Sequence, residues 1–226
     1  MITEKNLLNV KSFFDEKSVK NNGFFNHDGS HNKSVDGTGE TSSVNPNNNS
    51  ILFSYVKQKI NKEDPLVLDF GTGVGYMVQN SEKVYGFEGS KNLISKMICD
   101  TSRVCITDFT VPIEDSRLKN AFDITTSFEV IEHIPRNFQN NFWKNVSFVS
   151  KYHLCSIHIM NQESDTHITI TSKERWKEYF NKTGIIAEDL HEEFPYKVWQ
   201  CSAFFLLKME NFSPISDEQT AEILKH

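Results

Sequence analysis

The segment Val67-Leu68-Asp69-Phe70-Gly71-Thr72-Gly73-Val74-Gly75 constrains the fold more than any other part of this chain. A short apolar run carrying an Asp reads as a buried strand. The G-x-G-x-G that follows reads as a tight turn, in which the missing Cβ atoms let the backbone approach a ligand closely. A second strand-like run, Val84-Tyr85-Gly86-Phe87, ends in Glu88, seventeen residues past Gly71. In dinucleotide-type folds an acid at the end of the second strand holds ribose hydroxyls. Strand, glycine turn, helix, strand and acid together describe half of a nucleotide-type binding site, and predict an enzyme.

Glycine spacing selects among cofactors. The nicotinamide and flavin fingerprint is G-x-G-x-x-G, whereas here Tyr76 holds its third glycine position and Gly75 comes one residue early. No G-x-x-x-x-G-K-[ST] is present, so a P-loop is excluded. The pattern D-x-G-x-G-x-G at a strand end resembles motif I of the class I S-adenosylmethionine-dependent methyltransferases. That resemblance implies a Rossmann-like α/β fold, a doubly wound sheet of seven strands, mostly parallel, with an antiparallel edge hairpin. It implies S-adenosylmethionine as cofactor, with Asp69, Gly71, Gly73, Gly75 and Glu88 around its methionine and ribose portions.

The same order continues downstream. Arg103–Thr107 reads as a third strand, and the resemblance places Asp108 near the adenine amino group with Phe109 against the ring. Phe122–Ser127 reads as a fourth strand. The following Phe128-Glu129-Val130-Ile131-Glu132-His133-Ile134-Pro135 resembles the loop after strand four in small-molecule methyltransferases, and in the RNA 3′-terminal 2′-O-methyltransferases of the Hen1 type. It implies Phe128 and Glu129 beside the cofactor. In Hen1-type enzymes such an E-x-x-E-H, with a further His, holds a divalent metal. His158 or His167 is available here as the fourth ligand, and two oxygens with two nitrogens suit Mg, Mn or Zn only loosely. The sequence commits to no metal site.

Methyl transfer from a sulfonium is an in-line displacement with a neutral leaving group, so alignment is the main demand. A hydroxyl acceptor must also lose a proton. His133 is the candidate base, with Glu132 beside it. His167, in Thr166-His167-Ile168 after a polar loop, is the candidate acceptor contact; the segment resembles T-H-[IV] in methyltransferases found beside saccharide-modifying enzymes. The alternative for both histidines is structural, as a helix-start residue and a solvated loop residue.

Composition narrows the partners. The chain has 226 residues, enough for one sizeable core, and 38% hydrophobic residues including 18 Phe with which to fill it. A net charge of −6 argues against a broad electrostatic grip on duplex nucleic acid. No DNA or membrane partner is expected, and RNA is less expected than a small-molecule or saccharide acceptor. Lys173, Arg175, Lys177 and Lys182 share one helical segment, which by itself predicts a solvated face. Scattered cysteines without C-x-x-C, no bilayer-length apolar run and no signal-peptide core predict a cytoplasmic protein. Oligomeric state is not legible.

Residues 1–50 differ from the rest. Leu7, Leu8, Val10, Phe13 and Phe14 suit a short amphipathic helix, and 21–50 is rich in Asn, Gly, Ser, Thr and Asp. The segment is expected to be flexible, either a tail or a lid contacting ligand through Phe24, Phe25, His27 and His31. The methyltransferase domain is expected over 51–226, with Ser50 capping a helix over 51–60 and Thr171 with Glu174 boxing another through Lys182. A non-catalytic cofactor-binding subunit is the remaining alternative to an enzyme.

Overall fold

Alternating short strands and connectors wind into one eight-stranded sheet. The computed structural model describes residues 2–21, 24–25, 46–159, 167–194 and 201–225. The strands are β1 (Phe24–Phe25), β2 (Val67–Phe70), β3 (Val84–Glu88), β4 (Val104–Thr107), β5 (Ile124–Phe128), β6 (Tyr152–His158), β7 (Ile186–Asp189) and β8 (Ser202–Lys208). Their order across the sheet is β1-β4-β3-β2-β5-β6-β8-β7. Every pair from β1 to β6 is parallel, and β8 runs antiparallel to both β6 and β7. The seven-stranded doubly wound sheet with its edge hairpin is therefore present. Its eighth strand is the two-residue β1, in a segment the sequence reads as loop. His27 and His31 lie outside the described residues.

Strands buried on both faces read as near-continuous apolar runs. Here the faces separate by alternation. Leu68, Phe70, Tyr85 and Phe87 join one core, beneath α1 (Glu4–Lys17), α3 (Gln139–Val149) and α4 (Lys173–Lys182). Val67, Val84, Val104, Ile106 and Ile124 join the other, beneath α2 (Pro46–Ile60). The amphipathic α1 starts in a capping box between Thr3 and Asn6 and buries Val10, Phe13 and Phe14. Phe14 lies 4.6 Å from Tyr85 and 5.8 Å from Phe87, ring centre to ring centre. Each such burial is worth about 1.5–3 kcal/mol.

Several local expectations are corrected. No α-helix follows the glycine turn; that crossover holds only a 3-10 turn, Val78–Asn80, and the next two hold 3-10 turns at Lys91–Lys96 and Ser116–Leu118. The β2–β3 and β3–β4 connectors pack Met77, Val78, Ile94 and Met97 on the α2 side of the sheet, whereas α1 packs with Phe109, Ile113 and Leu118 of the β4–β5 connector on the other side. The α2 helix starts at Pro46, so Ser50 lies inside it. The N-cap of α4 is Ser172, which accepts from the Arg175 N–H, and no capping box through Thr171 forms. Phe138 precedes α3 in a 3-10 turn and is 36% exposed, whereas Phe142, Trp143, Val146 and Val149 are buried. Gly184 does end the α4 segment, at φ +74°. The C-terminal α5 (Asp217–Ile223) docks on α3 and α4, where Asn140 Nδ2 donates to Asp217 and Thr220.

Candidate active site

Strand order reverses between β2 and β5, and ligands in open α/β sheets bind beyond the carboxyl ends of the strands at such a point. Both motifs singled out by sequence emerge there, the glycine turn from β2 and E-x-x-E-H from β5. Gly71, Gly73 and Gly75 all have positive φ, at 73°, 60° and 92°. The N–H groups of Gly71 and Thr72 bond the Phe87 carbonyl at 2.7 and 3.1 Å, docking the turn on β3. A Cβ on Gly71 would meet Val130 Cγ2 at 2.4 Å, and one on Gly75 would meet Cys99 Sγ at 2.1 Å. A Cβ on Gly73 would meet nothing within 4 Å. The turn is thus pressed against neighbours at two glycines and faces open space at the third.

Three acids end the adjoining strands. Asp69 accepts from Thr126 Oγ1 at 2.5 Å, across the β2–β5 register. Glu88 accepts from the Gly73 N–H at 2.7 Å and from the Ser90 N–H at 2.8 Å. Burial pushes both carboxyls up to about 7, against the pull of those hydrogen bonds. Asp108 accepts from the Thr110 N–H and hydroxyl. Phe109 packs edge-to-face with Phe70 and Phe142, so its ring belongs to the core. Phe128 packs against the opposite core. Open space at Gly73, with buried acids at the ends of β2 and β3, fits a ligand that carries ribose hydroxyls and positive charge. Gly73→Ala tests this. Left-handed strain should cost about 1–2 kcal/mol of stability, while the methyl fills the open side and weakens S-adenosylmethionine roughly tenfold or more by calorimetry. Unchanged binding would place the ligand elsewhere.

Val130 leans on Gly71, so the wall of the glycine turn is also the start of the E-x-x-E-H turn. Ile131–His133 forms a 3-10 turn. Its Glu132 carbonyl accepts the N–H groups of Ile168 and Thr169 at 3.0 and 2.9 Å, and Thr169 Oγ1 donates to the Ile134 carbonyl at 2.6 Å. This clamp brings His167 to His133, with ring centres 4.7 Å apart. The ligating atoms of Glu132, His133 and His167 all lie within 4.8 Å of one another. The three residues proposed from sequence as catalytic therefore meet in space.

Glu129 stands beside them in a left-handed conformation, φ 56°. Its N–H donates to Ser156 Oγ at 3.0 Å, and its Oε1 accepts from the same hydroxyl at 2.7 Å. Its Oε2 lies 3.6 Å from His158 Nδ1, within ion-pair range though longer than a hydrogen bond. Burial would raise this carboxyl, but His158, Ser156 and Ser202 outweigh it and hold it below its ordinary value. Glu132 is fully buried, and neither carboxylate oxygen has a hydrogen-bond partner among the described residues. Burial, then the neighbouring Glu129, push it well above the usual carboxylate range. Burial, with His133 and His158 nearby, holds His167 down at about 4, in the neutral form that can ligate. A buried carboxyl without a hydrogen-bond partner among the described residues, beside a second carboxylate and the neutral imidazole of His167, fits a divalent cation.

Sequence reading missed Ser156, Thr126 and Val130, which hold Glu129, Asp69 and the glycine turn. Register was the signal available: Ser156 lies opposite Phe128, and Thr126 opposite Asp69. The segment 195–200 lies outside the described residues. Phe194 stacks on Phe204 at 3.9 Å.

No protein-family model matches the sequence, and no curated protein matches it. Solved structures do match. An S-adenosylmethionine-dependent methyltransferase from Clostridium acetobutylicum superposes with TM-score 0.56 at 12% identity, over 74% of this chain and 92% of that one. The methyltransferase domain of a bacterial Hen1 protein superposes with TM-score 0.51 at 15% identity, over 73% of this chain and 100% of that domain. The magnesium protoporphyrin IX methyltransferase of Synechocystis, with S-adenosylmethionine bound, superposes with TM-score 0.50 at 12% identity, over 91% and 97%. At these identities the likeness is one of fold, the Rossmann-like methyltransferase sheet. No helix among the described residues is long and apolar enough to cross a membrane.

Proposed function

We propose that this chain is an S-adenosylmethionine-dependent methyltransferase acting on a hydroxyl, with a divalent metal at the acceptor side of the site. The observation that carries the reading is the meeting of Glu132, His133 and His167 within 4.8 Å of one another, on a turn braced against Gly71. The methyltransferase fold and the acids at the ends of β2 and β3 support the cofactor half.

S-adenosylmethionine supplies a methyl group on a cationic sulfur. Gly73 would give it room, Glu88 would offer acceptor lone pairs to its ribose, and Asp108 would accept from the adenine amino group, as the resemblance implies. Asp69, held by Thr126 and raised to about 7 by burial, would be drawn to its charged form by the cofactor's positive charge. On the acceptor side, Glu132, His133 and His167 would hold the ion, which lowers the pKa of a bound hydroxyl. His133 is the direct base where no ion is used. Alignment of oxygen, methyl and sulfur falls to the shared wall of Val130 and the glycine turn.

A sugar hydroxyl of a small molecule or saccharide is the acceptor class we favour. The 3′-terminal ribose of an RNA is the second reading, supported by E-x-x-E-H with His167 and by the likeness of fold to a Hen1 domain. Against RNA along α4, Lys173 and Lys177 are both drawn onto Asp189, at 2.9 and 2.6 Å, and Arg175 donates to the Ile223 carbonyl. A labelled-methyl screen over saccharides, phenols and short RNAs, with Mn²⁺ and with EDTA, tests the reading. Transfer to a vicinal diol that EDTA stops is the expected result. Transfer that EDTA leaves intact would return the role to His133 as base, and no binding of S-adenosylmethionine would end the assignment.

A further inference from the structure

We propose that the fourth protein donor to the ion is His158, through Nε2, and that Glu129 is the carboxylate that orients it. This rests on the metal reading of the same site and changes which residues carry it. The spacing of E-x-x-E-H makes Glu129 the obvious partner of Glu132. The structure commits Glu129 elsewhere. One carboxylate oxygen accepts from Ser156 Oγ at 2.7 Å, and the other faces His158 Nδ1 at 3.6 Å. Its backbone is turned left-handed, and its N–H is anchored on the same serine at 3.0 Å. Glu129 stands close enough to raise Glu132, but its hydrogen bonds go to Ser156 rather than to the trio of Glu132, His133 and His167.

His158 lies beside the compact set that Glu132, His133 and His167 form, though outside its 4.8 Å spread. It ends β6, opposite Ser202, and is only 7% exposed. Its ring centre lies 4.6 Å from that of His167. With Nδ1 turned to Glu129, Nε2 is left buried and without a hydrogen-bond partner among the described residues. Unsatisfied buried polar atoms call for a partner, an ion included. An imidazole that ligates through one nitrogen while giving its other N–H to a carboxylate is the usual architecture around protein-bound metals, because the carboxylate fixes both tautomer and ring orientation. Glu129 and His158 stand in that order at ion-pair distance, 3.6 Å, which a bound ion would need to tighten into the hydrogen bond, and the pairing gives the left-handed backbone of Glu129 a purpose. The resulting donor set is one carboxylate and three imidazoles. Nitrogen-rich sets favour Fe²⁺, Co²⁺ or Zn²⁺ over Mg²⁺, with Mn²⁺ the weakest of the first-row ions.

The test uses the whole chain loaded with Mn²⁺, or with Co²⁺, and does not read activity. Pulsed electron paramagnetic resonance counts coordinated imidazole nitrogens, and calorimetry gives the affinity. Wild type should show three imidazoles, and His158→Ala two, with affinity down roughly 10²-fold, as for a lost ligand. Glu129→Gln keeps an acceptor for Nδ1–H and should retain three imidazoles while losing about tenfold, the lower range for an outer partner. If His158→Ala does not fold, His158→Gln replaces it, with the same loss of one imidazole expected. Two imidazoles in wild type, or a count unchanged in the His158 variant, would overturn the proposal while leaving the metal reading intact. Failure of the wild type to bind either ion would remove both, and shows itself before any variant is made.

Discussion

Glu132→Gln is expected to lower methyl transfer by roughly 10²-fold or more while leaving S-adenosylmethionine binding intact. The side chain is fully buried, and its oxygens have no hydrogen-bond partner among the described residues, as suits a carboxyl that would take up a cation. The variant carries a second signature. A carboxyl whose folded pKa is raised contributes its full stability below its unfolded pKa, and that contribution fades as pH rises toward the folded value. Burial and Glu129 raise Glu132 well above the ordinary range, so at pH 7 the ion-free protein folds at the expense of that proton. Gln needs no proton. In EDTA at neutral pH the variant should therefore melt at or above the wild-type temperature, although it is inactive. Turnover within about threefold of wild type, or a lower melting temperature at neutral pH, would return Glu132 to a structural role.

The second large effect concerns acid stability and a residue outside the site. His153 lies buried in β6, with Nδ1 2.8 Å from Thr125 Oγ1 and Nε2 2.9 Å from Ser127 Oγ. Burial lowers its pKa to about 3. A histidine depressed in the folded state contributes stability that is present above its unfolded pKa, near 6.5, and lost as pH falls toward the folded value. At pH 4 this amounts to about 3 kcal/mol, from the span between 6.5 and 4. The buried acids Asp69 and Glu88, both raised to about 7, push the other way over part of that range. The comparison must therefore be with His153→Gln, which keeps polar atoms for both hydroxyls and cannot charge. The variant should start less stable at pH 7 because its side chain fills the space less well, then close the gap or pass wild type by pH 4 in urea unfolding. A gap that stays constant with pH would mean that His153 titrates normally.

The geometry of the glycine turn and of the acid that ends β3 was legible because it is local. Positive φ at Gly71, Gly73 and Gly75 follows from glycine spacing, and Glu88 from the end of the next strand. The acceptor half was legible only in part. Glu132 and His133 are neighbours in sequence, but the place of His167 depends on two N–H bonds to one carbonyl across more than thirty intervening residues. The opposed roles of Glu129 and His158 depend on strand register, which no local pattern encodes. The absent crossover helices were misjudged for a related reason. Periodicity reports whether a segment could face a core, and in 74–80 the apolar residues Val74, Met77 and Val78 are buried without an α-helix forming.

Those missing helices have a consequence for how the chain reaches its native state. In a doubly wound sheet the crossover between two strands normally shields them, so each unit can collapse as soon as it is made. Here β3 receives its aromatic cover from Phe13 and Phe14, which precede Val84 by some seventy positions. During synthesis α1 emerges long before the surface it will shield: Met77 and Val78 of the β2–β3 connector cover the α2 side of these strands, but the face that bears Tyr85 and Phe87 waits for α1. Folding of this half must close a long loop early, before the contacts that reward it exist. The chain is therefore expected to fold slowly for its size, through a compact species in which the sheet has paired while the ring faces of Tyr85 and Phe87 are still exposed to other chains.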